Sequence, residues 1–189
     1  MPVVISLLRS VNVGGHNKIK MDALRGLYAS LNLRDPQTYV QSGNVVFRTA
    51  DRSLAPLAAR MERAIAQRFA CDVPVILRTV AELRDVVARN PFASRDGIEP
   101  ARLLVTFLAA EPAAAARASF LSIPTDPEEL HLDARELYAY FPNGMARPSV
   151  SWPRVERALA VPGTGRNWNT VTKLLAMAES LEAAPAKDP

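Results

Sequence analysis

Two polar segments of the chain hold the residue types that bind anions. One is Asn12-Val13-Gly14-Gly15-His16-Asn17-Lys18 near the N-terminus, and the other is Arg166-Asn167-Trp168-Asn169-Thr170, followed by Lys173. Adjacent glycines let backbone amides approach a ligand closely and form a concavity for negative charge. The second segment reads as a helix start: Asn167 can cap it, and the next amides are then free to face an anion beside Arg166 and Lys173. Between the two lies Gln41-Ser42-Gly43-Asn44, typical turn chemistry with a glycine where positive φ is expected. The candidate ligand-binding residues are therefore Asn12, Gly14, Gly15, His16, Asn17 and Lys18, with Gln41, Ser42 and Asn44, and with Arg166, Asn167, Asn169, Thr170 and Lys173.

Several chemistries are excluded by spacing. The loop lacks G-x-x-x-x-G-K-S/T and G-x-G-x-x-G, so no nucleotide cofactor is expected, nor any other. His16 titrates near neutrality and can serve as an acid or base, but no carboxylate pairs with it in the sequence, since Asp22 falls in the following helix. Ser42 has no nucleophile-elbow context. With His16, His131 and Cys71 as the whole His/Cys complement, no zinc site is expected. Trp168 has two readings, a stacking platform for a base or an anchor on a buried face with Val171, Leu174, Leu175 and Ala178.

The elements that must position these residues follow from periodicity. Val3–Leu8 is a β-branched apolar run, a buried strand. Met21, Leu24, Leu27, Tyr28 and Leu31 share one helical face, and Asp35-Pro36 marks a turn. Thr38–Val40 and Val45–Phe47 flank the hairpin turn. Ser53 is placed to cap a helix with Leu54, Leu57, Met61, Ile65 and Phe69 on one face, and Val73–Leu77 is a fourth strand. The order is βαββαβ, in which strands one and two run parallel; the exit of strand one then meets the hairpin after strand two. Thr79 and Glu82 have capping-box spacing at the start of a connecting helix that stops at Asn90-Pro91. Beyond it come a strand at Arg102–Leu108, a helix at Pro112–Leu121, a hairpin of Glu129–Leu132 and Glu136–Tyr140, and helices starting near Ser151 and Asn167. The pattern predicts an α+β protein: two tandem ferredoxin-like subdomains, residues 1–78 and 79–189, with additional C-terminal helices.

The net charge of +4 is unevenly distributed. Residues 1–78 carry +6, residues 79–141 carry −4, and the remainder +2, so basic character accompanies both polar segments. A single cysteine excludes a disulfide framework, and the apolar N-terminal run is too short for a signal peptide or a membrane span. These features place the protein in the cytoplasm, away from membranes.

The runs L-L-R-S-V-N-V-G-G-H-N-K-I-K-M, Y-V-Q-S-G-N-V-V-F, N-P-F and R-N-W-N-T-V-T-K-L resemble the bacterial family DUF1697, from Val3 to about Met177. The resemblance implies duplicated ferredoxin-like subdomains and no particular activity. Ser10 stands where the family usually has glycine, Ala146-Arg147-Pro148-Ser149 where a G-R-S-K-like run is common, and Gly163-Thr164-Gly165 where A-T-T is usual. Three functional readings stay open: a protein binding nucleic acid or a small phosphorylated ligand, an enzyme on an anionic metabolite with His16 as acid/base, and a structural module whose polar segments lock subdomains together. The RNP-type aromatic pattern of an RNA-recognition motif is missing. Oligomeric state is not legible in the sequence.

Overall fold

The computed structural model describes residues 1–14 and 17–185, so Gly15 and His16 lie outside it. The chain divides into two compact units, Met1–Asp85 together with the chain from Lys173 onward, and Val86–Thr172.

The first unit is built on β1 (Val3–Leu8), α1 (Met21–Ser30), β2 (Arg34–Tyr39), β3 (Asn44–Arg48), α2 (Leu54–Phe69) and β4 (Val75–Thr79). The strands form a sheet in the order β2-β3-β1-β4, and every neighbouring pair is antiparallel. Since β3 opposes both β1 and β2, those two run the same way, and Asn44 pairs with Leu7 on one side and Tyr39 on the other. The chain leaving β1 and the β2–β3 turn therefore share one end of the sheet.

One face of this sheet presents Val4, Leu8, Val45, Phe47, Val75 and Leu77 to Leu24 and Tyr28 of α1 and to Leu57, Met61 and Ile65 of α2. Both helices bury the apolar stripe expected from 3.6-residue spacing. Tyr28 meets Phe47 edge-on at 5.4 Å between ring centroids. Its hydroxyl shares a 2.7 Å hydrogen bond with Ser6 Oγ, so two polar groups in the core satisfy each other.

Two local expectations are corrected. Asp35-Pro36 is not a turn but part of β2, at a register shift between Arg34 and Gln37 with Asp35 at φ 52°. β2 is an edge strand, where proline's missing N–H interrupts no ladder on the open side. Ser53 does precede α2, but its side chain makes no capping bond.

The bulge has a consequence for packing. It puts the Asp35 carboxylate 3.4 Å from Nε of Arg48, a nearly buried guanidinium. Nη2 of Arg48 donates to the carbonyls of Leu181 and Ala184, at the end of α6 (Trp168–Ala183). A cation there satisfies carbonyls that no further turn of helix can reach and complements the negative end of the helix.

The connecting helix α3 (Val80–Ala88) starts with the expected reciprocal box. Thr79 N–H donates to Glu82 Oε2 at 2.8 Å, and Glu82 N–H donates to Thr79 Oγ1 at 3.1 Å. The second unit then contains β5 (Leu103–Leu108), α4 (Ala114–Leu121), β6 (Glu129–Asp133), β7 (Glu136–Tyr140), α5 (Trp152–Leu159) and β8 (Gly163–Asn167). Its sheet has the order β6-β7-β5-β8, again antiparallel throughout, over a core that includes Leu108, Phe120, Leu137, Val155 and Leu159.

β8 corrects the sequence reading, which places no strand there and makes α5 a terminal addition. Gly-Thr-Gly-Arg-Asn has no apolar alternation to announce a strand. Its glycines instead permit close approach: a Cβ at Gly163 would lie 2.9 Å from Leu108 Cδ2 and from Thr106 Cγ2. The fold is thus α+β with two four-stranded antiparallel sheets and six α-helices among the described residues.

Replacing Arg48 by alanine strands two helix-end carbonyls and one carboxylate. Urea unfolding is expected to show a loss of about 3 kcal/mol. An exposed control, Arg52→Ala, should change stability by less than about 0.5 kcal/mol.

Candidate functional site

The loop from β1 to α1 is held in an unusual backbone state. Ser10, Asn12, Gly14 and Asn17 have φ of 55°, 56°, 57° and 48°. Asparagine and glycine tolerate this left-handed region, which explains their density in the segment. The side chain of Asn12 fixes the loop in place. Its Nδ2 donates to Ile19 O at 2.9 Å and to Gln41 O at 2.7 Å, while its Oδ1 accepts from Ile19 N–H at 2.9 Å. Asn12 N–H donates to Asn17 O at 3.2 Å, and Asn17 Nδ2 donates to Ser10 O at 3.1 Å. One carboxamide thus closes the loop on itself and ties it to the β2–β3 turn.

That turn is constrained from the other side. Gly43 has φ 72°, and a Cβ there would lie 2.7 Å from Leu8 Cβ, so only glycine fits. Its carbonyl accepts from Leu8 N–H at 3.0 Å. Asn44 Nδ2 donates to Tyr39 O at 3.1 Å and to Ser42 Oγ at 2.9 Å. Val40, β-branched and 52% exposed, has φ 50°, a strained conformation for such a residue.

Three asparagines of the candidate set, Asn12, Asn17 and Asn44, therefore brace the framework. Beside them is a cleft of about 450 Å³ lined by Asn12, Lys18, Ile19, Lys20 and Gln41. Lys18 and Lys20 are exposed, and neither pairs with a carboxylate among the described residues. Extended backbone at Lys20 (φ −70°, ψ 133°) ends an alternation in which Ile19 turns into the core and the flanking lysines face out. Ile19 and Lys20 were not among the predicted site residues. The alternation Lys-Ile-Lys is the signal that could have found them. His16 and Gly15 lie outside the described residues, and no group of three or more His, Cys, Asp or Glu able to hold a metal occurs among the described ones.

The C-terminal segment is arranged differently from the expected helix start. Arg166 is on β8 opposite Val105 and only 6% exposed. Its Nη1 donates to Thr164 Oγ1 at 2.7 Å and to Gly165 O at 2.8 Å, and burial pushes its pKa down to about 10. Asn167 does cap α6, with Oδ1 accepting from Asn169 N–H at 3.0 Å, so that amide is engaged within the chain. Its Nδ2 donates to Ala101 O at 2.9 Å. Asn169 and Lys173 are exposed and Thr170 half-buried, while Val171, Leu174 and Ala178 form a buried face. Arg166–Thr170 fall in the second unit, whereas Asn12–Lys18, Gln41–Asn44 and Lys173 fall in the first.

Asn12→Ala removes the clasp and leaves Gln41 O and the Ile19 amide group to find water. Hydrogen exchange should show protection of the Ile19 amide falling by about 2 kcal/mol, with amides in the middle of α2 affected far less.

Comparison with known proteins gives a consistent placement. The structure is similar to that of the conserved bacterial protein SP0830 from Streptococcus pneumoniae, with a TM-score of 0.70 and 25% sequence identity over 94% of this chain and 98% of that one. No curated protein matches the chain. No helix among the described residues is long and apolar enough to cross a membrane. A family model matches residues 1–138, which takes in the Asn12 loop and the Gln41 turn and ends before Arg166. The chain belongs to the family described as protein of unknown function, DUF1697.

Proposed function

We propose that the first unit is a binding module for a small phosphorylated ligand, seated in the cleft of Asn12, Lys18, Ile19, Lys20 and Gln41. The observation that carries this reading is a pair of exposed lysines, uncompensated by carboxylates among the described residues, on a loop braced by Asn12. A cleft of about 450 Å³ is in the range of small-molecule sites. Two ammonium groups and the side-chain amide of Gln41 suit the charge and acceptor oxygens of a phosphate. The strained exposed Val40 beside Gln41 supports the same assignment, since backbone strain gathers at ligand clamps.

The scaffold reading is part of the proposal. Each unit is ferredoxin-like, supported by the shared strand order, in which the second and fourth strands in sequence lie at the sheet edges. The protein acts in the cytoplasm, in keeping with its single cysteine. Catalysis is no part of this reading.

A thermal-shift series on the full chain at low salt, with sugar phosphates and nucleoside mono-, di- and triphosphates as probes, tests the proposal. A bound compound at a hundred times its Kd stabilises the fold by about 2.7 kcal/mol, a clear rise in Tm. Lys18→Ala/Lys20→Ala should weaken that compound's binding by roughly tenfold or more. No shift with any probe, or a shift retained in the double variant, overturns the reading. Binding of a single-stranded oligonucleotide with steep salt dependence, and of no mononucleotide, replaces it with a nucleic-acid partner.

A further inference from the structure

A second cleft, in the other unit, has a chemistry that the first does not explain. It has a volume of about 240 Å³ and lies between α4 and α5, lined by Ser119, Ser122, Ile123, Arg154, Arg157 and Ala158. Arg154 and Arg157 are three residues apart on α5, the spacing that puts side chains on one helical face, with Cβ atoms about 5–6 Å apart. Like charges so placed repel each other and disfavour the helix.

Their environment sharpens the point. Four arginines of this unit have a carboxylate partner: Arg89 has Asp133, Arg95 has Glu129, Arg102 has Glu99 and Arg117 has Glu111. Arg154 and Arg157 have none among the described residues, and no carboxylate lines their cleft. Arg154 is also in the first turn of α5, where the positive end of the helix disfavours a cation and where no acidic residue is present. Two guanidinium groups thus share a cleft whose lining holds no carboxylate.

The opposite wall supplies hydroxyls. Ser122, at the C-terminal end of α4, donates its Oγ–H to the Ser119 main-chain carbonyl at 2.7 Å, while the Ser119 side chain, also in the lining, is exposed. Two guanidiniums and an exposed hydroxyl around a small polar space match a tetrahedral dianion better than a single carboxylate, because guanidinium forks recognise phosphate oxygens in pairs.

We propose that the α4–α5 cleft is a phosphate-binding site, built for the terminal phosphate of a phosphomonoester. Arg154 and Arg157 neutralise its two charges, and Ser119 donates a hydrogen bond to an oxygen. The site is independent of the Lys18–Lys20 cleft.

Amide and arginine side-chain NMR spectra of the full chain, titrated separately with inorganic phosphate and glycerol phosphate at constant ionic strength, read this directly. Saturable shifts are expected at Ser119, Ser122, Arg154 and Arg157 with both probes. Tighter binding of the glycerol phosphate is expected, and tighter binding of inorganic phosphate overturns the assignment to an ester. Arg154→Gln/Arg157→Gln, both exposed positions, should keep the native spectrum and raise the apparent Kd by about tenfold or more. Lys18→Ala/Lys20→Ala should leave these shifts within about twofold, which separates failure of this site from failure of the other. Equal shifts with sodium chloride alone, or an unchanged Kd in the Arg154→Gln/Arg157→Gln variant, overturn the proposal.

Discussion

The candidate site depends on how one carboxamide is used. Asn12 contributes both of its donors and one acceptor to main-chain groups of Ile19 and Gln41. Those contacts decide where the Lys18-Ile19-Lys20 stretch runs, and hence where two ammonium groups emerge. They also hold the β2–β3 turn against the loop although the two are far apart in sequence. An alanine or a carboxylate at this position could not make the same three bonds: alanine has no polar group, and a carboxylate has no donor. Gly43 completes the constraint from below, because Leu8 lies too close for any Cβ. The lysines are then exposed on a backbone that these bonds hold, a form of preorganisation that reduces the entropy lost on binding.

The two units show what belongs to the scaffold and what is specific to the first. Leu8 N–H donates to Gly43 O, and Leu108 N–H donates to Arg135 O; Arg9 N–H donates to Pro74 O, and Ala109 N–H donates to Pro162 O. Equivalent strand ends are therefore closed by equivalent backbone bonds. The side chains placed on them differ. Where the first unit has its asparagine- and lysine-rich loop and Gln41–Asn44, the second has Ala109-Ala110-Glu111 and Asp133-Ala134. The same backbone plan carries the lysine-bearing cleft at these strand ends in the first unit, whereas the arginine-lined cleft of the second unit lies between α4 and α5.

Much of this architecture was legible because apolar periodicity reports burial. Val3–Leu8, the α1 and α2 stripes and the β6–β7 hairpin all follow from residue spacing. β8 does not, since Gly163–Asn167 joins its sheet through backbone pairing and close approach to Leu104 and Leu108 rather than through a hydrophobic pattern. Asp35-Pro36 has the composition of a turn but becomes a bulge, because Asp35 pairs with an arginine from the neighbouring strand. At the candidate site, composition marks polar segments without distinguishing the roles of their residues. An asparagine that braces a loop and one that meets a ligand look alike in sequence, and the difference lies in carbonyls contributed by residues remote along the chain. Arg166 shows the same limit, reading as a ligand-facing charge at a helix start while lying buried in a strand.

The most direct test is a crystal structure with the phosphorylated compound that stabilises the protein most. The account predicts phosphate density in the first-unit cleft, with oxygens within about 3.2 Å of Lys18 or Lys20 Nζ and the Asn12 bonds to Ile19 and Gln41 intact. Density that leaves both lysines uncontacted, or a bound state in which Asn12 releases the loop, would contradict it.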